Sequence, residues 1–209
     1  MIDQATDLLL IIDVQNDFCP GGALAVDEGD RVVPVINRLG TRFRHRVLTQ
    51  DWHPTGHSSF ASAHPGAEPF STIEADYGPQ ILWPDHCVQG SPGAEFHPEL
   101  DTVGAELIIR KGFRKAIDSY SAFYENDHRT PTGLNGYLRD RGFRRLFLCG
   151  LATDYCVAWS ATDARKEDYE TYVIEDACRA IDLDGSLART WERFAEAGVQ
   201  RVTSEQLGV

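Results

Sequence analysis

Three residues with catalytic potential each follow a short apolar run in the chain. Asp13 comes after LLLII, Lys111 after ELIIR, and Cys156 shortly after RLFLC. If these runs are parallel strands, their carboxyl ends lie along one edge of a sheet, which is where ligands bind in open α/β folds. A carboxylate, a cation and a thiol would then meet at that edge. This combination suits a reaction in which sulfur attacks and a base takes its proton.

Cys156 is the thiol that the sequence singles out as a nucleophile. The run LFLCGLATDYCVAW leads from an apolar strand through a glycine-containing turn into a helix, with Cys156 near the helix N-terminus. The helix dipole and the free N–H groups there favour thiolate, so together with Lys111 they predict a lowered pKa for Cys156. Asp13 is expected to accept the proton, and backbone N–H groups of the turn can receive an oxyanion.

The other four cysteines give weaker indications of chemistry. Cys149 lies inside an apolar strand and is expected in the core, while Cys19 and Cys178 lie in connections without matching neighbours. Cys87 adjoins His86, but it does not stand at a strand-to-helix turn. Five cysteines without a CxxC pair argue against both a disulfide framework and a thiol-redox role.

A second group of residues has the chemistry of a metal site. Asp51 and His53 are two positions apart in DWHPTGHSSF, so on an extended chain both side chains lie on one face and can reach one ion. His57 follows in the same segment, and His86 stands in WPDHC, where Trp and Pro restrict the loop. Mixed nitrogen and oxygen ligands suit a divalent transition metal. The remaining histidines are expected at the surface: His64, His97 and His128.

Short apolar runs alternate with longer amphipathic segments along the chain, which is typical of a series of βαβ units. The apolar runs are continuous, as in parallel strands that are covered on both faces. Six strands are predicted: Asp7–Asp13, Arg46–Gln50, Leu107–Arg110, Arg145–Cys149, Thr171–Glu175 and Gln200–Val202. Four helices are predicted: Gly29–Phe43, Gly133–Arg141, Tyr155–Lys166 and Leu183–Ala197. The pattern therefore indicates an α/β fold with a mainly parallel sheet.

Residues 51–100 interrupt this pattern. The stretch is rich in Pro, Gly, His and aromatic residues and shows little periodicity. A connection of that length inside a compact domain is usually functional. Because the sequence contains no repeat or Gly/Ser linker, we expect a single domain over residues 1–209. Residues 51–100 are then a long loop inserted for metal and substrate binding.

The composition argues against several other classes of protein. Asp and Glu total 32 against 20 Lys and Arg, a formal charge of -12, whereas proteins that bind phosphate backbones concentrate cations. The longest aliphatic run, Leu8–Ile12, is too short to span a bilayer. The first residues, MIDQATD, lack the positive charge of a secretory signal. We therefore expect a cytoplasmic protein that binds neither nucleic acid nor membrane.

Taken together, these segments resemble the nicotinamidases and pyrazinamidases of the isochorismatase-like cysteine hydrolase superfamily. The resemblance extends over nearly the whole chain. It rests on IIDVQNDFCPGGALAV at 11–26, TQDWHPTGHSSFA at 49–61, LWPDHCVQGSPGAEFHPEL at 82–100, RKG at 110–112 and CGLATDYCVAWSATDA at 149–164. The DWHP and WPxHC motifs separate nicotinamidases from their isochorismatase-like relatives, so they are the most specific part of the match.

The resemblance implies a doubly wound three-layer α/β/α sandwich and the hydrolysis of nicotinamide to nicotinate and ammonia in NAD salvage, with pyrazinamide as a further substrate. It implies that Cys156 is the nucleophile, Asp13 the proton acceptor and Lys111 the residue that stabilises the charged thiolate. A thioester on Cys156 would be resolved by water. The backbone N–H groups of Ala152 and Cys156 would form the oxyanion hole, next to a cis peptide between Leu151 and Ala152.

The resemblance also implies one divalent metal ion, with zinc preferred over iron or manganese. Asp51, His53 and His86 match the metal ligands of the family. The fourth coordinating position varies among members, so His57, Ser59 and water all stay open for it. The ion is expected to receive the ring nitrogen of the substrate, directly or through water.

Phe18 and Trp83 are implied as the walls of an aromatic slot for the pyridine ring. The expected partner is therefore the small molecule nicotinamide, and the sequence leaves a homo-oligomer open. A related cysteine hydrolase acting on another small amide, or on a vinyl ether, is the main alternative; the vinyl-ether enzymes are expected to lack the metal cluster. An inert interaction domain is a third interpretation, but it would be expected to lose Cys156 or Lys111, and both are present.

Overall fold

A sheet of six parallel strands forms the centre of the computed structural model, which describes residues 2–209. The strands of the molecule are β1 (Asp7–Ile12), β2 (His45–Asp51), β3 (Thr72–Ala75), β4 (Gly78–Ile81), β5 (Leu107–Lys111), β6 (Arg145–Leu151), β7 (Glu170–Arg179) and β8 (Gln200–Val202). The order across the sheet is β5-β2-β1-β6-β7-β8, and β3 and β4 form a separate hairpin. Every neighbouring pair in the large sheet is parallel, as the continuous apolar runs predict.

Helices cover both faces of this sheet. The α-helices are α1 (Val32–Gly40), α2 (Leu134–Asp140), α3 (Ala158–Lys166) and α4 (Ser186–Ala197). Both α1 and α3 pack against β7. The crossover from β1 to β2 contains α1 and runs in the opposite direction to the crossover from β6 to β7, which contains α3. Right-handed crossovers therefore place the two helices on opposite faces, and the prediction of a doubly wound sandwich is confirmed. Among residues 2–209, no helix is long and apolar enough to cross a membrane.

The centre of the core is β1. Its residues Leu8–Ile12 are at most 1% exposed, because β2 and β6 pair with its two edges and helices cover both faces of the sheet. Full burial of a Leu or Ile side chain stabilises the fold by about 1.5–3 kcal/mol relative to exposure. Since this strand ends directly before Asp13, the most enclosed strand of the sheet positions that carboxylate.

The helices differ from the predicted ones mainly at their N-termini. The predicted helix Gly29–Phe43 is shorter in the structure, because Gly29–Arg31 is a 3₁₀ turn. A 3₁₀ turn at Leu183–Gly185 likewise precedes α4, and the π-helix Thr153–Val157 precedes α3. Hydrophobic periodicity does not distinguish these tighter or wider turns from the first turn of an α-helix.

The insertion at residues 51–100 is more ordered than its sequence indicates. It contains the antiparallel hairpin β3–β4, whose four-residue strands are too short to show alternation. Backbone hydrogen bonds join distant parts of the insertion: the His53 N–H donates to the Cys87 carbonyl, and the Trp83 N–H donates to the Ser59 carbonyl. The segments with the candidate metal ligands are therefore tied to each other through the main chain.

The crevice for a ligand lies where the chain changes direction across the sheet. From β1 the chain continues to β2 on one side, and from β6 it continues to β7 on the other. In doubly wound sheets the carboxyl ends of two such strands leave a crevice that binds ligands. Here Asp13 follows β1, and Cys156 follows β6, so both flank this crevice.

Candidate active site

Four strand ends bring charged and nucleophilic side chains together at the carboxyl edge of the sheet. Asp13 follows β1, Asp51 ends β2, Lys111 ends β5, and Cys156 lies in the π-helix after β6. All four residues are at most 6% exposed. The structure thus brings together the residues that the sequence predicts to converge.

Lys111 contacts the other three residues. Its Nζ lies 2.8 Å from Asp13 Oδ2, 3.1 Å from Asp51 Oδ1 and 3.5 Å from Cys156 Sγ. It also donates to the Ser119 carbonyl at 2.8 Å. Burial opposes the charge on this amine, but the carboxylates of Asp13 and Asp51 raise the pKa of Lys111 well above its usual range. Lys111 therefore provides a permanent positive charge at the centre of the group.

The two carboxylate oxygens of Asp13 have different environments. The Thr49 hydroxyl donates to Oδ1 at 2.6 Å and accepts from the Asp13 N–H at 3.2 Å. Oδ2 lies close to Lys111 Nζ but receives no well-aligned hydrogen bond from residues 2–209. Burial raises the pKa of Asp13 although Lys111 opposes this. A carboxylate with a raised pKa, and with one oxygen that accepts no well-aligned hydrogen bond, is suited to act as a general base.

The pKa of Cys156 differs from the expectation drawn from the sequence. Burial raises the pKa of this thiol well above its usual range; Lys111 lowers it, and the carboxylate of Asp13 raises it again. The predicted lowering by the helix N-terminus and Lys111 is therefore wrong, because the loss of hydration outweighs both. The resting thiol keeps its proton, so a base has to remove it as the sulfur attacks.

The turn before Cys156 depends on one glycine. Gly150 has a φ of 116°, and a Cβ at this position would lie 2.0 Å from the Ile12 carbonyl oxygen, so only glycine allows β6 to approach β1 this closely. The peptide bond between Leu151 and Ala152 is cis, as the resemblance implies. The π-helix that follows contains Cys156 and is of a type found mostly at functional sites.

Asp51, His53 and His86 lie together, and their ligand atoms are all within 4.8 Å of one another. Asp51 Oδ2 is 2.9 Å from His53 Nε2 and 3.4 Å from His86 Nε2. The Nδ1 atoms contact backbone carbonyls, at Gly112 for His53 and at Pro84 for His86. Because a carbonyl only accepts, Nδ1 carries the proton in both rings. In the neutral form of each ring, Nε2 then has a lone pair available for a cation.

This donor set fits a divalent transition metal. It offers two imidazole nitrogens and one carboxylate oxygen from buried side chains, and carbonyl groups orient both imidazoles as is usual around protein-bound metals. Gly112 makes room for the cluster: a Cβ there would lie 2.5 Å from His53 Cε1. The three predicted ligands are therefore arranged as a metal site requires.

His57 is committed to hydrogen bonds within the protein. Its Nε2 lies 3.0 Å from the Arg114 carbonyl and therefore carries the proton, while its Nδ1 lies 2.8 Å from Ser59 Oγ. Burial lowers the pKa of His57, so the ring holds only this one proton and Nδ1 accepts from Ser59. His57 also belongs to a second group of potential ligands, with His53 and Asp118. In this arrangement, however, it has no lone pair left for an ion.

A narrow cavity lies between Cys156 and the metal-type cluster of Asp51, His53 and His86, and it is lined by Asp51 and His86 as well as by the thiol. Phe18 and Trp83, the predicted walls, both line it. The cavity is small and bounded by aromatic rings, which suits a single flat ring. Five lining residues were not predicted from the sequence: Leu24, Asp118, Tyr120, Tyr155 and Ile181.

A buried glutamine joins the β3–β4 hairpin to the cavity wall. Gln80, which is 1% exposed, donates from Nε2 to Asp118 Oδ2 at 2.9 Å and to the Tyr120 hydroxyl at 3.1 Å. Its Oε1 accepts from Asn126 Nδ2 at 3.2 Å, and Trp83 Nε1 donates to the same Tyr120 hydroxyl at 3.0 Å. No sequence motif identifies these residues as part of the site. Their location shortly after the end of β5 is the one feature of the sequence that could have indicated Asp118 and Tyr120.

Other clefts and thiols lack this combination of groups. A wider groove of about 940 Å³ beside α3 and α4 is lined mainly by charged side chains and by His128, which stacks on Trp159. It is open to solvent, and no cysteine lines it within residues 2–209. Burial raises the pKa of the four other thiols: Cys19, Cys87, Cys149 and Cys178. Of the five cysteines, only Cys156 lines the aromatic cavity.

Comparison with known proteins agrees with the family resemblance seen in the sequence. Residues 7–206 match the model of the isochorismatase domain. A solved nicotinamidase and pyrazinamidase of Acinetobacter baumanii is 56% identical, with a TM-score of 0.96 over 97% of this chain and 98% of that one.

Two further solved structures have ligands in their descriptions. PnC1 of L. infantum, in complex with nicotinate, is 40% identical with a TM-score of 0.86, over 98% of this chain and 96% of that one. The pyrazinamidase of Pyrococcus horikoshii, in complex with zinc, is 35% identical with a TM-score of 0.76, over 94% of this chain and 98% of that one. The chain therefore belongs to the isochorismatase domain family, among its nicotinamidases and pyrazinamidases.

Proposed function

We propose that this protein is a nicotinamidase, which hydrolyses nicotinamide to nicotinate and ammonia and accepts pyrazinamide as well. One observation carries the proposal: a single cavity is lined by the Cys156 thiol, by Asp51 and His86 of the metal-type cluster, and by the rings of Phe18 and Trp83. Nicotinamide has a counterpart for each, namely its carbonyl carbon, its ring nitrogen and its flat ring. The relatives named above support this choice of substrate.

The first half of the reaction forms a thioester and releases ammonia. Cys156 Sγ attacks the carboxamide carbon while Asp13 Oδ2 takes the thiol proton, which the raised pKa of Cys156 makes necessary. The carbonyl oxygen becomes an oxyanion, held by the backbone N–H groups of Ala152 and Cys156. Asp13 then returns the proton to the departing nitrogen, and the C–N bond breaks. Lys111 stabilises the negative charge on sulfur and carboxylate throughout.

The second half restores the enzyme with a water molecule. Asp13, again ionised, takes a proton from water as the water oxygen attacks the thioester carbon. The second tetrahedral intermediate uses the same N–H groups of Ala152 and Cys156. When the C–S bond breaks, Sγ regains a proton from Asp13, and nicotinic acid leaves as nicotinate. One water is consumed and one ammonia is released in the complete cycle.

Asp51, His53 and His86 would hold one divalent metal ion, and we propose zinc ahead of iron or manganese. Two nitrogens and one carboxylate oxygen are a common ligand set for catalytic zinc, and the zinc complex of the Pyrococcus horikoshii pyrazinamidase supports the choice. The ion, when bound, supplies a Lewis acid for the ring nitrogen of the substrate. Ser59 or water would complete the coordination, because His57 has its nitrogens engaged elsewhere.

Phe18 and Trp83 would hold the pyridine ring in the cavity. The Trp83 ring stands edge-on to Tyr155 with centroids 5.0 Å apart, a contact that helps to fix the orientation of the Trp83 ring. Placement in the cytoplasm, a role in NAD salvage and a single domain over residues 1–209 stay predictions. The oligomeric state also stays open.

A hydrolase acting on a different small amide is the second candidate. It would use the same Cys156, Asp13 and Lys111, so the catalytic group does not discriminate between the two. The metal-type cluster favours nicotinamide, because a metal ion that binds a ring nitrogen would not contribute to binding an amide that has no ring nitrogen. Benzamide, which has the same ring size without the nitrogen, is therefore the discriminating substrate.

The test is ammonia release by the purified protein from nicotinamide, pyrazinamide and benzamide, before and after treatment with a chelator and after addition of zinc. We expect turnover of nicotinamide and pyrazinamide that the chelator abolishes and zinc restores, with benzamide a poor substrate. Cys156→Ala is the control for contaminating amidases. Rapid hydrolysis of benzamide, or no release from nicotinamide by the zinc-loaded protein, would contradict the proposal.

A further inference from the structure

Thr49 makes the two hydrogen bonds that determine how Asp13 is oriented. The parallel ladder between β1 and β2 ends at the pair Ile11 and Leu48, two residues before Asp13 and one residue before Thr49. Beyond this pair the Thr49 side chain replaces the main chain as the partner of Asp13. Its hydroxyl accepts from the Asp13 N–H at 3.2 Å and donates to Asp13 Oδ1 at 2.6 Å. Both residues are 0% exposed, so water does not compete for these bonds.

These bonds matter because both the backbone and the side chain of Asp13 need support from their surroundings. Its φ of 48° is the left-handed conformation, which is uncommon for residues other than glycine and needs support from its surroundings. The terminal torsion of an aspartate is broad, so the plane of its carboxylate can rotate away from a given direction at small cost. Two contacts oppose this rotation: the Thr49 hydroxyl donates to Oδ1, and Lys111 Nζ lies beside Oδ2.

We propose that Thr49 is a positioning residue, which binds Asp13 Oδ1 so that Oδ2 faces Lys111 and the Cys156 thiol. Oδ2 lies 2.8 Å from Lys111 Nζ, and Lys111 Nζ lies 3.5 Å from Cys156 Sγ. If the carboxylate rotates, the oxygen that takes the thiol proton leaves this arrangement. Thr49 does not line the cavity, so its effect on the substrate passes through Asp13 alone.

The inference rests on the proposed function, in which Asp13 is the general base that deprotonates Cys156. Thr49→Val tests it, because valine keeps the branched shape and removes the hydroxyl. We expect kcat for nicotinamide to fall by about tenfold to a hundredfold, less than the full contribution of a general base, because the variant displaces Asp13 without removing it. The KM should stay near that of the unchanged protein. Thr49→Ser keeps the hydroxyl, so it should recover most of the lost kcat.

Thr171→Val is the matched control. Thr171 is also 0% exposed, lies in β7 of the same sheet, and donates its hydroxyl hydrogen to the Tyr169 carbonyl at 3.0 Å. It makes no contact with Asp13, so its loss should leave both kcat and KM unchanged. Thermal unfolding of all three variants shows whether the fold is retained. Equal loss of kcat in Thr49→Val and Thr171→Val would overturn the proposal.

A second measurement does not require the proposed substrate. The rate at which iodoacetamide alkylates Cys156, followed by mass spectrometry, should fall in Thr49→Val and return in Thr49→Ser. If the protein fails to hydrolyse nicotinamide, this result still decides the role of Thr49, so the two failures are distinguishable. Alkylation at the original rate in Thr49→Val, or an equal loss in Thr49→Ser, would overturn the inference.

Discussion

The site has two parts that the chain positions in different ways. Lys111 is the last residue of β5, and Asp13 and Cys156 follow β1 and β6, so the paired strands of the parallel sheet determine where these three residues lie. His86 and Trp83 lie in the insertion at residues 51–100, where single side-chain hydrogen bonds and isolated main-chain bridges hold them in position. The catalytic group is therefore positioned by the central sheet, and the residues of the insertion are positioned by local contacts.

The difference shows in what each part does chemically. In the proposed reaction the sheet edge supplies the groups that break and form bonds. Burial raises the pKa of Asp13 and of Cys156, whereas the carboxylates of Asp13 and Asp51 raise the pKa of Lys111. In the same proposal the insertion supplies the groups that bind the substrate ring. Asp51 belongs to both: it ends β2, contacts Lys111 at 3.1 Å, and lies 2.9 Å from His53 Nε2. Changes in the two parts should therefore separate reactivity from recognition.

The largest effect is expected at the sheet edge. Cys156→Ala removes the nucleophile and leaves only substrate binding and the oxyanion hole, so ammonia release should fall by about a thousandfold or more. The alanine fits the buried position, so the thermal unfolding midpoint should change little. In the unchanged protein, iodoacetamide should label Cys156 first, and nicotinamide should slow that labelling. Earlier labelling of Cys19, Cys87 or Cys178 would contradict the assignment.

The next largest effect is expected in the insertion. His86→Ala removes one of two imidazole ligands, so the metal content of the purified protein, measured by atomic absorption, should drop together with turnover of nicotinamide. His53→Ala should behave alike. Cys156 does not depend on these ligands, so its alkylation rate should stay within about a factor of two, the scatter expected of unrelated sites. A variant that lost metal but kept full turnover would show that the cluster is not part of the substrate site.

The sequence predicts the two parts unequally well, and the reason is physical. Continuous apolar runs identify parallel strands, and strand ends converge by geometry, so Asp13, Lys111 and Cys156 follow from pattern alone. His86 and Trp83 were assigned from motifs of a resembled family, since no periodicity exists in their segment. Tyr120 was missed, because its place depends on a hydrogen-bond network that closes only after folding.

The pKa of Cys156 shows a different limit. A helix N-terminus and a neighbouring lysine are visible in the sequence, and both favour a thiolate. Burial is not visible there, and it decides the sign: Cys156 is 6% exposed, and its pKa rises. Whether a charged group helps or hinders thus depends on how much water the fold removes, which requires the tertiary structure.

A smaller effect is expected from the hairpin that supports the recognition half. Gln80→Leu removes the hydrogen bonds of Gln80 to Asp118 Oδ2 and Asn126 Nδ2, which should lower the free energy of unfolding by about 1–3 kcal/mol for each buried atom left unpaired. The Tyr120 wall should loosen, so the KM for nicotinamide should rise more than kcat falls. Gln89→Leu, at an exposed position of the same insertion, is the control. An unchanged KM in Gln80→Leu would mean that the hairpin does not shape the cavity.

The smallest effect on chemistry is expected at His57, although it stands in the motif with the metal ligands. Its Nε2 donates to the Arg114 carbonyl, and its Nδ1 accepts from Ser59. The ring therefore stabilises the loop and has no free lone pair to bind an ion. His57→Asn should lower stability, by about 1–3 kcal/mol for the buried groups left unpaired, and leave the metal-to-protein ratio unchanged. The ratio is measured on the folded fraction beside His53→Ala, which should lose metal. If both variants lost metal equally, His57 would be a ligand, and the second group with His53 and Asp118 would be the metal site instead.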